Sequence, residues 1–495
     1  MKLQFSIQQT GTSYDGLNWE LSKNEHWYVL GYAMSQNISL EKWLSEPKAS
    51  PLQVQLTPPI RLPEEAFITR KREQHLIDRE KKNDDSEFVE GGFDPGTSVE
   101  TFLHDTLRKY EHQWPNTTGH KIRWQKAFQH IWNTGLRFLS NGEFKKVMLA
   151  AAQASKSPIV LLESPFDGLD MESKTHLQNT LATWGNGSTI ILTHSAKDIP
   201  REATGVIILR EGKPPEVIRS TEPSWTDVIT SCHAAVQHSH QKKVVPDELL
   251  SMNEQLIQRQ QRWNQPVVIK NLNISFSDRA IFSGLQWTID QGEHWNLHGP
   301  NGAGKTTLLN LIHADLPQAY GQDVTLFGFK RGTGESIWDI RQHIGFLGTD
   351  YQRQFPKTMN GLAAVLSGYF DTMGLFKKPS PSQINLAKVW AKHLGISLLM
   401  EKYLTEMTYG EVRIMLMLRA MIKCPALLIL DEPCQGMPEE QSRDMLETLE
   451  HMLENTATQL IFVSHEQQHL PKRINKRLSL KPNEQGISCG QIEQI

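Results

Sequence analysis

The chain has 495 residues, 38% of them hydrophobic and 22% charged, which leaves room for two or three cored domains and excludes both a disordered tail and a membrane-embedded bundle. Lysine and arginine total 52 against 55 aspartates and glutamates, a net charge of −3. That balance disfavours a protein whose main business is coating nucleic acid, a local basic patch aside.

The opening residues, MKLQFSIQQTGTSYDG, turn polar too early for a secretory signal. No apolar run approaches the ~18 residues of a membrane helix. Four cysteines (Cys232, Cys424, Cys434 and Cys489) are widely spread with no C-x-x-C, so zinc ribbons and disulfide scaffolds are disfavoured and a reducing cytosol fits. The expectation is a cytoplasmic chain, and any pore it serves belongs to another chain.

Glu25-His26-Trp27, with Gly31 four residues past the tryptophan, has a copy in Glu293-His294-Trp295 with Gly299, at an offset of 268 (293 − 25). The mixed-sign run from Arg70 to Asp85 reads as an exposed face. Leu139-Ser140-Asn141-Gly142-Glu143 has a copy in Met407-Thr408-Tyr409-Gly410-Glu411, again 268 residues on. Val160-Leu161-Leu162-Glu163-Ser164-Pro165 matches Leu428-Ile429-Leu430-Asp431-Glu432-Pro433 in the same register. Three blocks at one long offset mean two homologous domains in tandem rather than a solenoid.

The expected boundaries are residues 1–225 for the first domain, 226–265 for a linker and 266–495 for the second domain. Glu222-Pro223 closes the first half, and Gln265-Pro266 opens onto strand-like Val267-Val268-Ile269. Between them Leu249, Met252, Leu256 and Trp263 recur at roughly helical spacing, as in a connecting helix with one docked face. His233, His238 and His240 are better explained by a solvated linker than by a metal site, because no carboxylate or cysteine completes a ligand set. Each half alternates strand-like and helix-like segments, the α/β pattern of a mainly parallel sheet flanked by helices.

In the second half, Trp295-Asn296-Leu297-His298 leads into Gly299-Pro300-Asn301-Gly302-Ala303-Gly304-Lys305-Thr306, a complete G-x-x-x-x-G-K-[ST] loop, and then into a helical run, Thr306 to Ile312. Strand, loop and helix in that order are the context that gives the motif meaning. The glycines let backbone N–H groups curl around phosphate oxygens, and the helix N-terminus favours negative charge. Lys305 is expected between the β- and γ-phosphates and the Thr306 hydroxyl on Mg²⁺. Further on, the apolar strand Leu427–Leu430 ends in Asp431, a carboxylate suited to holding Mg²⁺. The adjacent Glu432 can accept a proton from an attacking water. After a last apolar strand, Ser464-His465 offers an imidazole to the γ-phosphate.

The order of phosphate loop, Met407–Glu411 segment, Asp431-Glu432 and His465 resembles the ATP-binding-cassette (ABC) ATPase domain, and the likeness covers both halves. It implies two tandem P-loop NTPase domains, each a mainly parallel sheet with a small antiparallel β subdomain and a helical subdomain. The cofactors implied are ATP and Mg²⁺. In that family the five-residue signature reads L-S-G-G-Q and contacts the γ-phosphate bound by the opposite, head-to-tail domain. The strings Gly292–Trp295, Leu326-Phe327-Gly328, Gly334–Ile340, Leu366–Asp371 and Pro165–Asp170 further resemble double-cassette proteins associated with molybdate transport.

At the shared offset Gly304, Lys305 and Thr306 correspond to Gln36, Asn37 and Ile38, and Glu432 corresponds to Ser164. The first half therefore lacks its own phosphate cation and base. Yet it keeps a signature in Ser140, Asn141 and Gly142, and Asp170 at the family's inter-domain aspartate position. The second half has Tyr409 and Pro438 at those places. The sound parts belong to one composite site and the eroded parts to the other. The glutamine that joins Mg²⁺ to a permease in the family should follow Ile344–Leu347, where Gly348-Thr349 stands instead; Gln352 and Gln354 are nearby substitutes. Phe276 is the candidate for stacking on adenine, with a core phenylalanine the competing reading.

These features predict an ABC-type ATP hydrolase with one working site, associated with molybdate or other anion transport and peripheral on the cytoplasmic face of the inner membrane. Its expected partners are membrane permease subunits, with no direct nucleic-acid contact. Competing readings are a regulatory ATPase acting on a ribosome or another cytoplasmic partner, and a sensor that binds nucleotide without hydrolysis. A DNA-repair ATPase is disfavoured because the cysteines cannot build zinc modules.

Overall fold

Short apolar runs bounded by glycine, proline and polar residues become strands in the computed structural model, and the chain divides into two compact units, Met1–Ser239 and His240–Ile495. The described residues are 2–6, 17–31, 44, 62–83, 94, 96–113, 118–139, 141–166, 171–182, 187–193, 196–200, 202–210, 213–227, 230, 263–276, 279–300, 302–348, 351, 355–356, 358–407, 409–434, 437, 439–464, 470–483 and 486–495. Most of the expected linker therefore lies outside them.

In the first unit a six-stranded sheet runs Phe67–Ile68, Ile159–Glu163, Ser188–Thr193, His26–Leu30, Gly205–Ile208 and Glu216–Arg219. Every pairing is parallel except the last. Successive residues of a strand face opposite ways, and both faces are covered here. Tyr28, Val160, Leu162 and Ile191 enter one apolar cluster; Trp27, Val29, Ile159, Leu161 and Ile190 enter another. The antiparallel pair Lys2–Ser6 and Asn18–Ser22 is separate.

In the second unit the sheet has ten strands. Its order is Phe329–Lys330, Asp323–Leu326, Val267–Phe276, Arg279–Ile289, Ser488–Gln494, Lys476–Pro482, His294–His298, Gln459–Val463, Leu427–Asp431 and Ile344–Leu347. From Lys476–Pro482 to Ile344–Leu347 the pairing is parallel. Leu427–Asp431 and Gln459–Val463 are buried at every position, as strands covered on both faces must be. The antiparallel portion, Asp323–Leu326 to Arg279–Ile289, joins this region through the parallel register of Phe282 with Ser488. The helical portion includes Gly361–Leu366, capped by the Asn360 side chain, and Pro381–His393, opened by a Ser380–Gln383 capping box with proline at the first helical position. The expected fold, two α/β units with a mainly parallel sheet each, is the fold found.

One expectation needs correction. The run after Arg70 is not a wholly solvated face. It forms the helix Arg70–Lys82, capped by Thr69, and buries Leu76, Ile77 and Glu80. Glu80 accepts from the Thr97 N–H at 2.7 Å and hydroxyl at 2.8 Å, while Arg72 lies 3.8 Å from buried Glu65. Charge alternation hid an apolar stripe only two residues wide. Trp263, the last member of the linker's apolar series, docks on Phe327 and His343 with ring centroids 5.7 and 5.3 Å away.

Candidate functional site

Strand His294–His298 delivers the chain to Gly299 at the carboxyl edge of the parallel sheet, where open α/β folds place their ligands. Gly302 and Gly304 have φ of 78° and 89°, left-handed values that glycine adopts without strain. Gly304 is the N-cap of the helix Lys305–Ile312. A Cβ there would lie 2.6 Å from the Phe282 ring, so the turn also requires a glycine for space. At Gly302, by contrast, a Cβ would meet nothing within 4 Å among the described residues. Lys305 folds back over the loop, donating to the carbonyls of Gly299 at 2.7 Å and Pro300 at 3.1 Å. Thr306 is exposed in the first helical turn and Thr307 is half-buried behind it.

Two strands across the sheet from His294–His298, Leu427–Asp431 ends at the same edge. Asp431 is buried. Glu432 follows with φ of 50°, a backbone that non-glycine residues rarely adopt. Its N–H donates to the Val463 carbonyl at 3.0 Å. Its carbonyl accepts from Arg413 Nη2 at 2.9 Å. Ser464 then leaves strand Gln459–Val463 at this edge as well. Gly299, Gly302, Ala303, Gly304, Lys305, Thr306, Asp431 and Glu432 are thus brought to one end of one sheet. Asn301 and His465 lie outside the described residues. Phe276 is 40% exposed at the end of its strand, so it is a surface ring and not part of the core.

The first unit repeats the scaffold. Strand His26–Leu30 runs into Gly31, where a Cβ would meet the Leu209 carbonyl at 2.2 Å, as one on Gly299 would meet the Leu480 carbonyl at 2.8 Å. Ser164 takes the place of Glu432 with the same kind of turn, φ of 44°, and its N–H donates to the Leu192 carbonyl at 2.9 Å. The helix Asn141–Ala154 begins at the signature, with Gly142 half-buried in its first turn. Gln36, Asn37, Ile38, Ser140 and Asp170 lie outside the described residues, as does Pro438 of the second unit. Tyr409 opens the helix Tyr409–Met421.

Two functional-looking features do not follow from the sequence motifs. Arg413 stands out in none of them, because one of two arginines in a mostly apolar helix carries no motif. Its signal is the shared offset, which pairs it with Lys145. The strand registers also show that the third copied strand is shifted: Trp27 pairs with Ile190, and Trp295 with Ile461, an offset of 271 (461 − 190). At that offset His465 corresponds to His194, so the first half keeps a histidine there too. The strongest repeat is structural. Glu25 accepts from the Ser22 N–H and the Trp27 indole, both at 2.9 Å; Glu293 accepts from the Asp290 N–H at 2.9 Å and the Trp295 indole at 3.1 Å.

A family model described as ABC transporter matches residues 282–435. The chain is 35% identical over 351 residues to the ABC transporter ATP-binding protein ModF of Escherichia coli (strain K12), covering 70% of each. It is 29% identical over 357 residues to an uncharacterized ABC transporter ATP-binding protein of Schizosaccharomyces pombe, covering 70% of this chain and 69% of that one. Among solved structures, RNase-L Inhibitor matches with a TM-score of 0.52 at 15% identity, covering 98% of this chain and 89% of that one. That last likeness is one of fold alone. No helix among the described residues is long and apolar enough to cross a membrane.

Proposed function

The chain belongs to the family of ABC transporter ATP-binding proteins, which hydrolyse ATP, and on that premise we propose that hydrolysis here takes place at a single composite site. The second unit supplies Gly299–Thr307, Asp431, Glu432 and His465; the first supplies Ser140, Asn141, Gly142 and Asp170. The observation that carries the reading is the convergence of Lys305, Thr306, Asp431 and Glu432 on one sheet edge, with Asn37 and Ser164 standing at the corresponding positions of the first half.

The donors fit a hard cation: an exposed threonine hydroxyl and a carboxylate are oxygen ligands of the kind Mg²⁺ takes. Thr306 and Asp431 would hold it, Asp431 through water. Bound with ATP, Mg²⁺ supplies charge neutralisation at the phosphate oxygens. The loop N–H groups and Lys305 bind and orient the phosphates. Glu432 accepts the proton of the water that attacks the γ-phosphorus, and His465 donates to a γ-phosphate oxygen. Ser140 and Gly142 close over the same phosphate in trans, and Phe276 is free to stack on the base. The output is a change of conformation between ATP-bound and released states. The site built on Gln36, Asn37, Ile38, Ser164, Tyr409 and Pro438 is vestigial.

Glu432→Gln removes the base and keeps the shape. Turnover should fall at least a hundredfold, on the order expected for a general base, while ATP stays bound. Phosphate release at the wild-type rate would remove Glu432 from the role. The finer assignment, a peripheral cytoplasmic component of molybdate or other anion transport, is supported by the strings shared with that group. Against standard coupling stands Gly348-Thr349, where the family's glutamine is absent. Affinity purification of the ATP-trapped Glu432→Gln chain from native membranes should bring down permease subunits. Ribosomes in their place would shift the assignment to the cytoplasmic alternative.

A further inference from the structure

The turn at Glu432 is held from both sides of its residue. With φ of 50°, it lies where a side chain is strained unless the surroundings over-determine it. Val463 takes its N–H, and Arg413 takes its carbonyl. Arg413 does more than close one hydrogen bond. Its Nη2 also donates to the Asp431 carbonyl, and its Nη1 donates to the Gly348 carbonyl at 3.1 Å. The residue is 0% exposed and sits in the first turns of the helix Tyr409–Met421. Burying a guanidinium is costly, and a position that needed only packing would carry an apolar side chain.

The first unit supplies a second observation. Lys145, 268 residues earlier (413 − 145), donates from Nζ to the Ser164 carbonyl at 2.7 Å. The left-handed turn is kept there, but the glutamate is gone, and an ammonium stands in place of the planar fork. A guanidinium can hold several fixed acceptors at once in a way an ammonium cannot. The fork thus accompanies the carboxylate.

We infer that Arg413 is a positioning residue for ATP hydrolysis. It fixes the backbone turn that sets the direction in which the Glu432 side chain leaves the sheet, and it ties that turn to the helix behind the signature and to Gly348. The inference rests on Glu432 as the base. Arg413 touches no substrate; it acts by keeping the carboxylate in register with the water, where a displacement of about 1 Å can cost about a hundredfold in rate.

The test uses the full chain with three variants: Arg413→Met, Arg413→Lys and Glu432→Gln. Steady-state turnover is measured beside equilibrium binding of a fluorescent ATP analogue and the melting temperature. Arg413→Met should lower kcat at least about tenfold, consistent with a small misplacement of the base, with ATP affinity changed less than about threefold. Arg413→Lys should recover part of the loss, since an ammonium reaches the equivalent carbonyl in the first unit. Wild-type kcat in Arg413→Met, or a loss of affinity that matches the loss of kcat, overturns the inference. Should Arg413→Met not fold, Arg413→Lys decides alone: lower kcat with unchanged affinity supports the role, and wild-type kcat refutes it. Undiminished turnover in Glu432→Gln would show separately that the reading of the base has failed.

Discussion

Lys305 spends its donors on two carbonyls of its own loop, Gly299 at 2.7 Å and Pro300 at 3.1 Å. A triphosphate must win the ammonium from them, which it can, because a charged acceptor outbids neutral ones. Lys305→Ala should therefore weaken ATP binding at least about tenfold, the loss of one charge-assisted contact of about 1.5–3 kcal/mol. Asn37→Ala should leave binding within about twofold, since no charge is lost. Titration with a fluorescent ATP analogue checks both, and equal losses would contradict the assignment of the working loop. Residues of this kind were legible in the chain because their chemistry demands fixed spacing: Gly304, Lys305 and Thr306 must follow one another on a helix start. Arg413 was not legible. It acts through backbone carbonyls, which every residue has, so nothing in the identity of Gly348, Asp431 or Glu432 announces the contact. Phe276 needed the structure for another reason, because exposure and not residue type separates a stacking ring from a core one.

At the scale of elements, the same Glu-His-Trp string opens the central strand of both sheets, and its job is mechanical. The Trp295 indole is 1% exposed, and Glu293 is its acceptor as well as that of the Asp290 N–H. Lys476 lies 3.2 Å from the same carboxylate. Glu293→Ala should leave a buried indole N–H without its acceptor and cost about 1–3 kcal/mol, read as a lower urea midpoint for the second unit. Glu25→Ala should do likewise in the first. The histidine between them differs by its neighbour across the strand. His26 Nδ1 lies 3.0 Å from the Thr189 hydroxyl, whereas His294 faces Leu460 in register. Burial first, and Arg473 second, hold the His294 imidazole down to about 4 from the usual 6.5. A folded-state value below the unfolded one favours the neutral ring. The stability this contributes is complete above pH 6.5 and drains away as the pH falls towards 4. His294→Leu should flatten the denaturation midpoint against pH across that window; an unchanged slope would exclude His294 as its source. Short apolar runs made strands readable, Val267–Ile269, Trp295–His298 and Leu427–Leu430 among them. Periodicity failed at Arg70–Lys82, where the apolar stripe is too narrow to stand out from the charges around it.

At the scale of the whole molecule, what matters is how the losses sort. In the sequence, Asn37 and Ser164 replace the lysine and glutamate of the second half's loop and turn, while Tyr409 and Pro438 stand at the second half's signature and aspartate positions. Independent decay would scatter such changes; under the proposed head-to-tail reading they fall in one of two composite sites. This pattern was readable only by setting the halves side by side, and the shift from an offset of 268 to one of 271 after the second copied strand is why His194 escaped it. The pairing predicts an asymmetry between two chemically similar hydroxyls. Ser140 comes just before the helix Asn141–Ala154 in the chain, whose first turn favours a phosphate, and the proposed composite site assigns it to the phosphates that Lys305 would hold. The same proposal assigns Thr408 to the site with neither cation nor base. Ser140→Ala should lower ATP turnover by about ten- to a hundredfold, the kinetic equivalent of one hydrogen bond to a charged group. Affinity should fall less, because Lys305 and the loop still hold the nucleotide. Thr408→Ala should leave turnover within about twofold, having no charged group to release. Equal effects would mean that both sites turn over; a loss confined to Thr408→Ala would mean that each unit works with its own signature, and the head-to-tail arrangement would have to be abandoned.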